Sequence, residues 1–266
     1  MKGFHSRVLK ATAGSYAALI FLFLYAPIIV LVVLSFNASR LRGSWGGFSL
    51  HWYASLFRND RIMRALGTTF LLAVLSATIA TVIGTAAAIV LNGIRKGPMR
   101  SILLNLTYIP MLNPDIVTGV SLLLLFTFVG VRLGFPTLLM AHVSFNIPYV
   151  VLSVMPKLRQ MNPSLVDAAM DLGLKPLPAI WRVVVPEITP GVVTGFLLAL
   201  TMSIDDFVIS FFTTGPGVST LSIEIYSMTR RGINPEINAL SAILFVVVLA
   251  LLIFVNVRSK EETLMM

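Results

Sequence analysis

The chain has 266 residues, of which 57% are apolar and only 12% charged, with a mean hydropathy of +0.90 and a formal net charge of +9. A water-soluble domain carries about 25% charged residues, so half that supply cannot coat a solvent-facing surface, and most of this surface must face lipid. The absence of cysteine excludes disulfides, iron–sulfur clusters and zinc–thiolate sites.

Crossing about 30 Å of hydrocarbon takes roughly 20 apolar residues. Windows at about 14–36, 67–92, 102–129, 136–156, 190–212 and 237–257 qualify. They predict an all-α polytopic membrane protein with six transmembrane helices in a single domain spanning residues 1–266. In the first window the uncharged run from Ala11 to Ser39 exceeds the roughly 7–15 residues of a signal-peptide core. It is expected to stay as a helix.

The second window carries Ala73, Ala77, Thr81 and Thr85, and the fifth carries Gly191, Gly195, Ala199 and Ser203. Residues four apart stack on one helix face, and small side chains let backbones approach closely in lipid. Both helices are expected to pack inside a bundle or against a partner. In the third window Pro110 and Pro114 flank Met111–Leu112–Asn113, and each proline removes an intrahelical bond. The window therefore reads either as a kinked helix or as a broken span lining a translocation path.

The segment 157–187 is too polar to span, and it reads as two short helices. Asn162 is a good N-cap and Pro163 suits the first helical position. Leu165, Ala168, Ala169 and Leu172 form an apolar stripe, while Asp167 and Asp171 share another face. Gly173 is placed to end the first helix in a left-handed turn, ahead of Pro176. A second helix from about Leu177 is expected to stop at Pro186. An amphipathic helix outside the membrane needs a groove for its apolar face, and the two aspartates disfavour an anionic lipid surface.

The fifth window holds Asp205 and Asp206, and the third holds Asp115. Asp205 lies about 15 residues into its span, about 22 Å deep, and Asp115, about 13 residues in from the same side, comes to a similar depth. An ionisable residue at a helix centre costs about 2.5–3.5 kcal/mol on insertion scales, so it usually faces a cavity or a partner. Two readings stand for the pair: a cap of a helix break with an interchain ion pair, or an acidic station in a path. In the second reading Tyr108, Phe207 and Phe211 are candidates to contact the methylenes or ammonium groups of a cationic solute.

Placing both termini inside puts twelve Lys/Arg on that side against eight outside. The residues nearest the spans, Lys2, Arg7, Lys10 and the turn Arg95–Lys96–Arg100, favour the same orientation. The basic excess reads as loop charge, and with no long Lys/Arg run it predicts no nucleic-acid partner. His5, His51 and His142 lie far apart, so no metal site or cofactor is expected. No G-x-x-x-x-G-K-[ST], H-E-x-x-H or G-x-S-x-G motif occurs, so the chain is expected to be neither an ATPase nor an enzyme of another kind.

Asp167–Ala168–Ala169, Gly173 and Val183-x-Val185–Pro186 resemble the "EAA…G…I-x-L-P" loop of bacterial ATP-binding-cassette importer permeases. Asp stands for the leading Glu, and Val for Ile and Leu. The resemblance implies the six-span (MetI-like) permease fold and assigns Asp167, Ala168, Ala169, Asp171, Gly173 and Pro186 to a coupling loop seated on an ATPase subunit. A closer resemblance, to the spermidine/putrescine importer permeases, rests on stretches along nearly the whole chain. They are Tyr25–Ala26–Pro27, Ser35–Phe36–Asn37, Pro114–Asp115–Ile116–Val117, Ala168–Ala169–Met170–Asp171–Leu172–Gly173, Ser203–Ile204–Asp205–Asp206, Thr214–Gly215–Pro216–Gly217 and Asn234–Pro235–Glu236–Ile237–Asn238–Ala239–Leu240. It implies a bacterial inner-membrane location beside a second, homologous permease in a heterodimer. It further implies a dimer of ATP-binding subunits and a periplasmic polyamine-binding protein. A related importer for another small solute, or a stand-alone secondary transporter, are the alternatives; the latter usually shows internal repeats, and none is evident.

Overall fold

A computed structural model describes residues 2–40, 43–95, 97–162, 164–232, 235–246 and 249, with side chains from Gly14 onward except that of Arg231. Arg42, Lys96, Pro163 and Asn234, together with most of the sixth predicted span after Val246, lie outside the described residues. Among those described there is no β-strand, only an isolated bridge between Asn37 and Phe48. The chain divides into two compact units, Met1–Met63 with Ile225–Met266, and Arg64–Glu224.

The first unit contains α1 (Lys2–Ser35), α2 (His51–Arg58) and α12 (Glu236–Val246). Residues 14–34 of α1 are all at least partly exposed in this chain, as suits a helix solvated by lipid or by another subunit. The stretch after α1 is organised by Asn37. Its Oδ1 accepts N–H groups from Ser39 (3.1 Å) and Gly46 (2.8 Å), and its Nδ2 donates to the Ser44 carbonyl (2.8 Å). Trp52, buried on the amphipathic α2, donates to the Asn37 carbonyl at 2.7 Å. Glu236 is anchored by the hydroxyl of Ser55 and by Nδ2 of Asn59, so its buried carboxylate is not left unsatisfied.

In the second unit, α3 (Asp60–Gly93), α6 (Phe135–Gln160) and α9 (Val185–Asp205) form the core, with Val150 of α6 fully buried. A β-carbon on Gly84 of α3 would lie 2.8 Å from Val150 Cβ, and one on Gly195 of α9 would lie 3.2 Å from Val150 Cα. Glycine at both positions is what lets the backbones close on this valine, the approach on which helix association in lipid depends. Ala73, Ala77, Gly191, Gly195, Ala199 and Ser203 are buried as the spacing predicts. Thr81 and Thr85 are only half-buried and border an apolar groove instead. Helix α11 (Leu221–Arg231) begins in this unit, where Leu221 N–H bonds Thr69 Oγ1 of α3 at 2.8 Å.

Two predicted boundaries shift. The second cytoplasmic helix does not stop at Pro186: α8 (Pro176–Ala179) passes through a π-turn at Ile180–Val184 into α9. There Val185 N–H bonds Ile180 O, five residues back, and this widened turn precedes a proline that has no N–H to offer. The fifth span also does not run unbroken to residue 212. Its helix ends at Asp205, and a separate short helix, α10 (Val208–Thr213), follows. Among the described residues four helices are long and apolar enough to cross a membrane, or five if a bent pair is counted as one span. The sixth predicted span begins in α12.

Candidate functional site: an acidic cleft between two broken helices

The bent pair is α4 (Pro98–Leu112) and α5 (Asp115–Val129), which meet at 103°. A residue before proline is pushed out of the helical region, and Asn113 is extended (φ −77°, ψ 139°), as is Pro114 (φ −57°, ψ 137°). The third predicted span is therefore broken rather than merely kinked. Asp115 opens α5, where the helix dipole favours a negative charge. It is exposed and has no hydrogen bond or ion pair among the described residues.

The second break lies between α9 and α10. Asp206 leaves the helix (φ −63°, ψ 130°) and turns its carboxylate onto α10. Its two oxygens accept N–H groups from Ile209 (3.2 Å) and Ser210 (2.7 Å). Behind it sits His142 of α6, with no exposed surface. Its Nε2 lies 2.9 Å from Ser210 Oγ and 3.5 Å from Asp206 Oδ2, and its Nδ1 lies 2.6 Å from Ser203 Oγ. Ser203 in turn meets Ser76 Oγ of α3 at 2.9 Å. One buried polar network thus ties three core helices to the break.

Between the breaks opens a cleft of about 240 Å³, lined by Asp115, Asp205 and Asp206, with Phe145, Tyr149 and Phe207 in its walls. The structure brings together Asp115, Asp205, Asp206 and Phe207 from the predicted set. It leaves Tyr108, half-buried on α4, and Phe211 off the lining; Phe211 stands behind Phe207, 5.6 Å between ring centroids. Asp205 is exposed and, like Asp115, has no side-chain partner among the described residues. The cleft therefore presents two unpaired carboxylates and a third that is already engaged. Its aromatic walls suit methylene groups and cations. Among the described residues no three His, Cys, Asp or Glu side chains gather as a metal site.

Sequence reasoning missed Phe145, Tyr149 and His142. The first two stand four apart and so share a helix face, and His142 is the one side chain in the predicted fourth span, 136–156, that can gain a charge near neutral pH. That lone histidine at membrane depth was the available signal.

At the other end of α9 lies the predicted coupling loop. Helix α7 (Ser164–Asp171) starts where Asn162 Oδ1 accepts the Ser164 N–H at 3.0 Å. It ends with Gly173 in the left-handed region (φ +91°). Gly173 N–H bonds Met170 O (2.9 Å) and Leu174 N–H bonds Ala169 O (3.1 Å), the paired bonds of a Schellman cap. Of the predicted stripe only Ala169 is buried. Leu165, Ala168 and Leu172 are exposed, as are Asp167, Asp171 and Pro186.

The sequence profile of binding-protein-dependent transport system inner membrane components matches residues 81–258. The spermidine/putrescine transport system permease protein PotC of Escherichia coli (strain K12) is 38% identical over 251 residues, covering 94% of each chain. The putrescine transport system permease protein PotI of the same strain is 42% identical over 232 residues, 84% of this chain and 82% of that one. Among solved structures, a bacterial ABC transporter involved in the import of the acidic polysaccharide alginate superposes with a TM-score of 0.71 over 96% of each chain, at 18% identity. That likeness carries the fold. The chain belongs to the binding-protein-dependent transport system inner membrane components and is a multi-pass membrane protein.

Proposed function

We propose that this permease forms one half of the translocation path of an ATP-binding-cassette importer for polyamines, with the cleft as an acidic station on that path. The observation that carries the reading is the pair of unpaired carboxylates, Asp115 and Asp205, on one aromatic-walled cleft where two membrane helices break. A flexible, multiply charged amine can place ammonium groups against the acids and methylenes against the rings. The names of PotC, a spermidine/putrescine transport system permease protein, and PotI, a putrescine transport system permease protein, support the same substrate class. Asp206, held by His142 and by α10, is assigned to the architecture of the cleft rather than to solute binding.

The remaining parts follow from the family. A second, homologous permease completes the path, a dimer of ATP-binding subunits hydrolyses ATP, and a periplasmic binding protein delivers the solute. Helix α7, with Leu165 exposed on it and Leu172 exposed just past its end, docks on the ATPase from the cytoplasmic side, where both termini also lie.

Asp205→Asn keeps the shape and removes one charge. It is expected to lower uptake of labelled putrescine and spermidine about tenfold, the loss of about 1.4 kcal/mol of charge attraction, with the complex assembled as before. Wild-type uptake by this variant would remove the acidic station. Gly173→Val tests the coupling loop separately. A left-handed backbone costs a side chain with a β-carbon about 1–2 kcal/mol, so the cap should reopen. The variant is expected to insert in the membrane yet fail to stimulate ATP hydrolysis or transport. Normal solute-stimulated hydrolysis would show that α7 is only a tether.

A further inference from the structure

A second cavity, of about 690 Å³, opens at the opposite end of the helices in the unit Arg64–Glu224. It lies where α3 ends, α4 begins and α6 ends, and is lined by Asn92, Gly97, Arg100, Leu104, Leu158 and Arg159 among others. None of its lining residues is acidic. Arg100 gives one hydrogen bond, from Nη2 to Asn92 Oδ1 at 3.3 Å, but its Nε is buried without a partner. Arg159 has no carboxylate partner among the described residues. The start of α4, which lines the same cavity, has no side-chain cap, so its first-turn N–H groups and dipole add to the positive field.

A buried donor left unpaired is costly, and a guanidinium is shaped to grip an anion through two nitrogens at once. Two arginines without counter-ions on one cavity therefore point to an anionic ligand with several oxygens. The location narrows its source. Three membrane helices begin or end here, which sets the cavity at headgroup depth, and Leu104, one turn further into α4, and Leu158 supply apolar wall beside the charges. Basic pockets between membrane helices are suited to lipid headgroups. We infer that this cavity binds the phosphate of an anionic lipid headgroup, held by Arg100 and Arg159 at the membrane surface. The lipid wedges the α3–α4 turn against the end of α6, one residue before the segment that leads into α7.

The test uses the chain in its intact assembly, reconstituted in phosphatidylcholine nanodiscs containing a minority of phosphatidylglycerol. Retained lipid is counted by native mass spectrometry. The wild-type assembly is expected to retain phosphatidylglycerol above its share in the disc, and Arg100→Gln and Arg159→Gln are each expected to reduce that enrichment about fivefold. Arg100→Lys, which keeps the charge, should retain part of it, and Arg95→Gln, on an exposed arginine outside the cavity, should change nothing. Equal enrichment in wild type and both glutamine variants would overturn the assignment. So would displacement of the lipid by excess inorganic phosphate, which would make free phosphate the ligand. A third overturning result is loss of the ATP-binding subunit from the glutamine variants with lipid enrichment unchanged, because the arginines would then serve a protein partner.

Discussion

The break between α4 and α5 and the break between α9 and α10 face the same cleft, yet different chemistry makes each. The first is covalent: Pro114 removes a donor and pushes Asn113 out of the helical region, whatever surrounds it, while Pro110 is accommodated inside α4. The second has no proline. It exists because Asp206 caps α10 and because His142, reaching in from α6, engages Ser203, Ser210 and Asp206. The acids divide differently. Asp115 at the proline break and Asp205 beside the capped one have no side-chain partner among the described residues, while Asp206 is engaged by α10 and His142.

The sharpest way to break this comparison is His142→Ala. It takes one partner each from Ser203, Ser210 and Asp206. Ser203 keeps Ser76 and Asp206 keeps two backbone N–H groups, but a buried polar group left unsatisfied, as at Ser210, costs about 1–3 kcal/mol. The variant is expected to lower the thermal unfolding temperature further than any single change at Asp115, Ser203 or Ser76, and to lose uptake with it. His142→Gln, which can still donate and accept, should recover part of both. If His142→Ala unfolds with the wild type, the second break is as local as the first and the network is incidental.

Asp115→Asn probes the proline side. The backbone there is held by Pro114, so stability should move little, by at most the roughly 0.3–1 kcal/mol of a helix-dipole contact. Uptake should nevertheless fall, by about fivefold, because the removed charge has no partner among the described residues. A melting shift as large as that of His142→Ala would mean that Asp115 is part of the break and not of the ligand surface.

What could be read in advance follows the same division. Composition exposed the membrane class, and spacing exposed the small-residue faces that pack around Val150. The prolines announced the first break, and Gly173 announced the end of α7, because local covalent geometry decides these features. The second break was legible only as one of two readings of Asp205 and Asp206, the cap of a helix break, which Asp206 fulfils on α10. Nothing between Gly191 and Phe212 forbids a helix, and the histidine that backs the cap lies more than sixty positions upstream, at 142. The π-turn before Pro186 was hidden for a related reason: a proline can end a helix or be absorbed by a widened turn, and only the packing of Val184 and Ile188 in the core selects the second. Phe145 and Tyr149 were passed over because an aromatic pair on an apolar span looks like core until a cleft is seen beside it.

The smallest expected effects come from the outer end of the network and give the finest test of the comparison. Ser203 Oγ sits between His142 Nδ1 and Ser76 Oγ, so Ser203→Ala leaves the imidazole nitrogen without a partner in a closed core. Ser76 is one step further out, and its hydroxyl also has the Ala73 carbonyl of its own helix within reach at 3.2 Å. Removing it takes one partner from Ser203 while the contact with His142 stays. Ser203→Ala is therefore expected to cost about 1–3 kcal/mol, the price of an unsatisfied buried group, and Ser76→Ala about 0.5–1 kcal/mol, that of an ordinary hydrogen bond. Thermal unfolding of the two variants, measured in the same detergent, should rank them in that order, with uptake by Ser76→Ala near the wild-type rate. The reverse order would place the anchor of the second break on α3 and not on α6, and would take from His142 the role on which its contrast with the proline break depends.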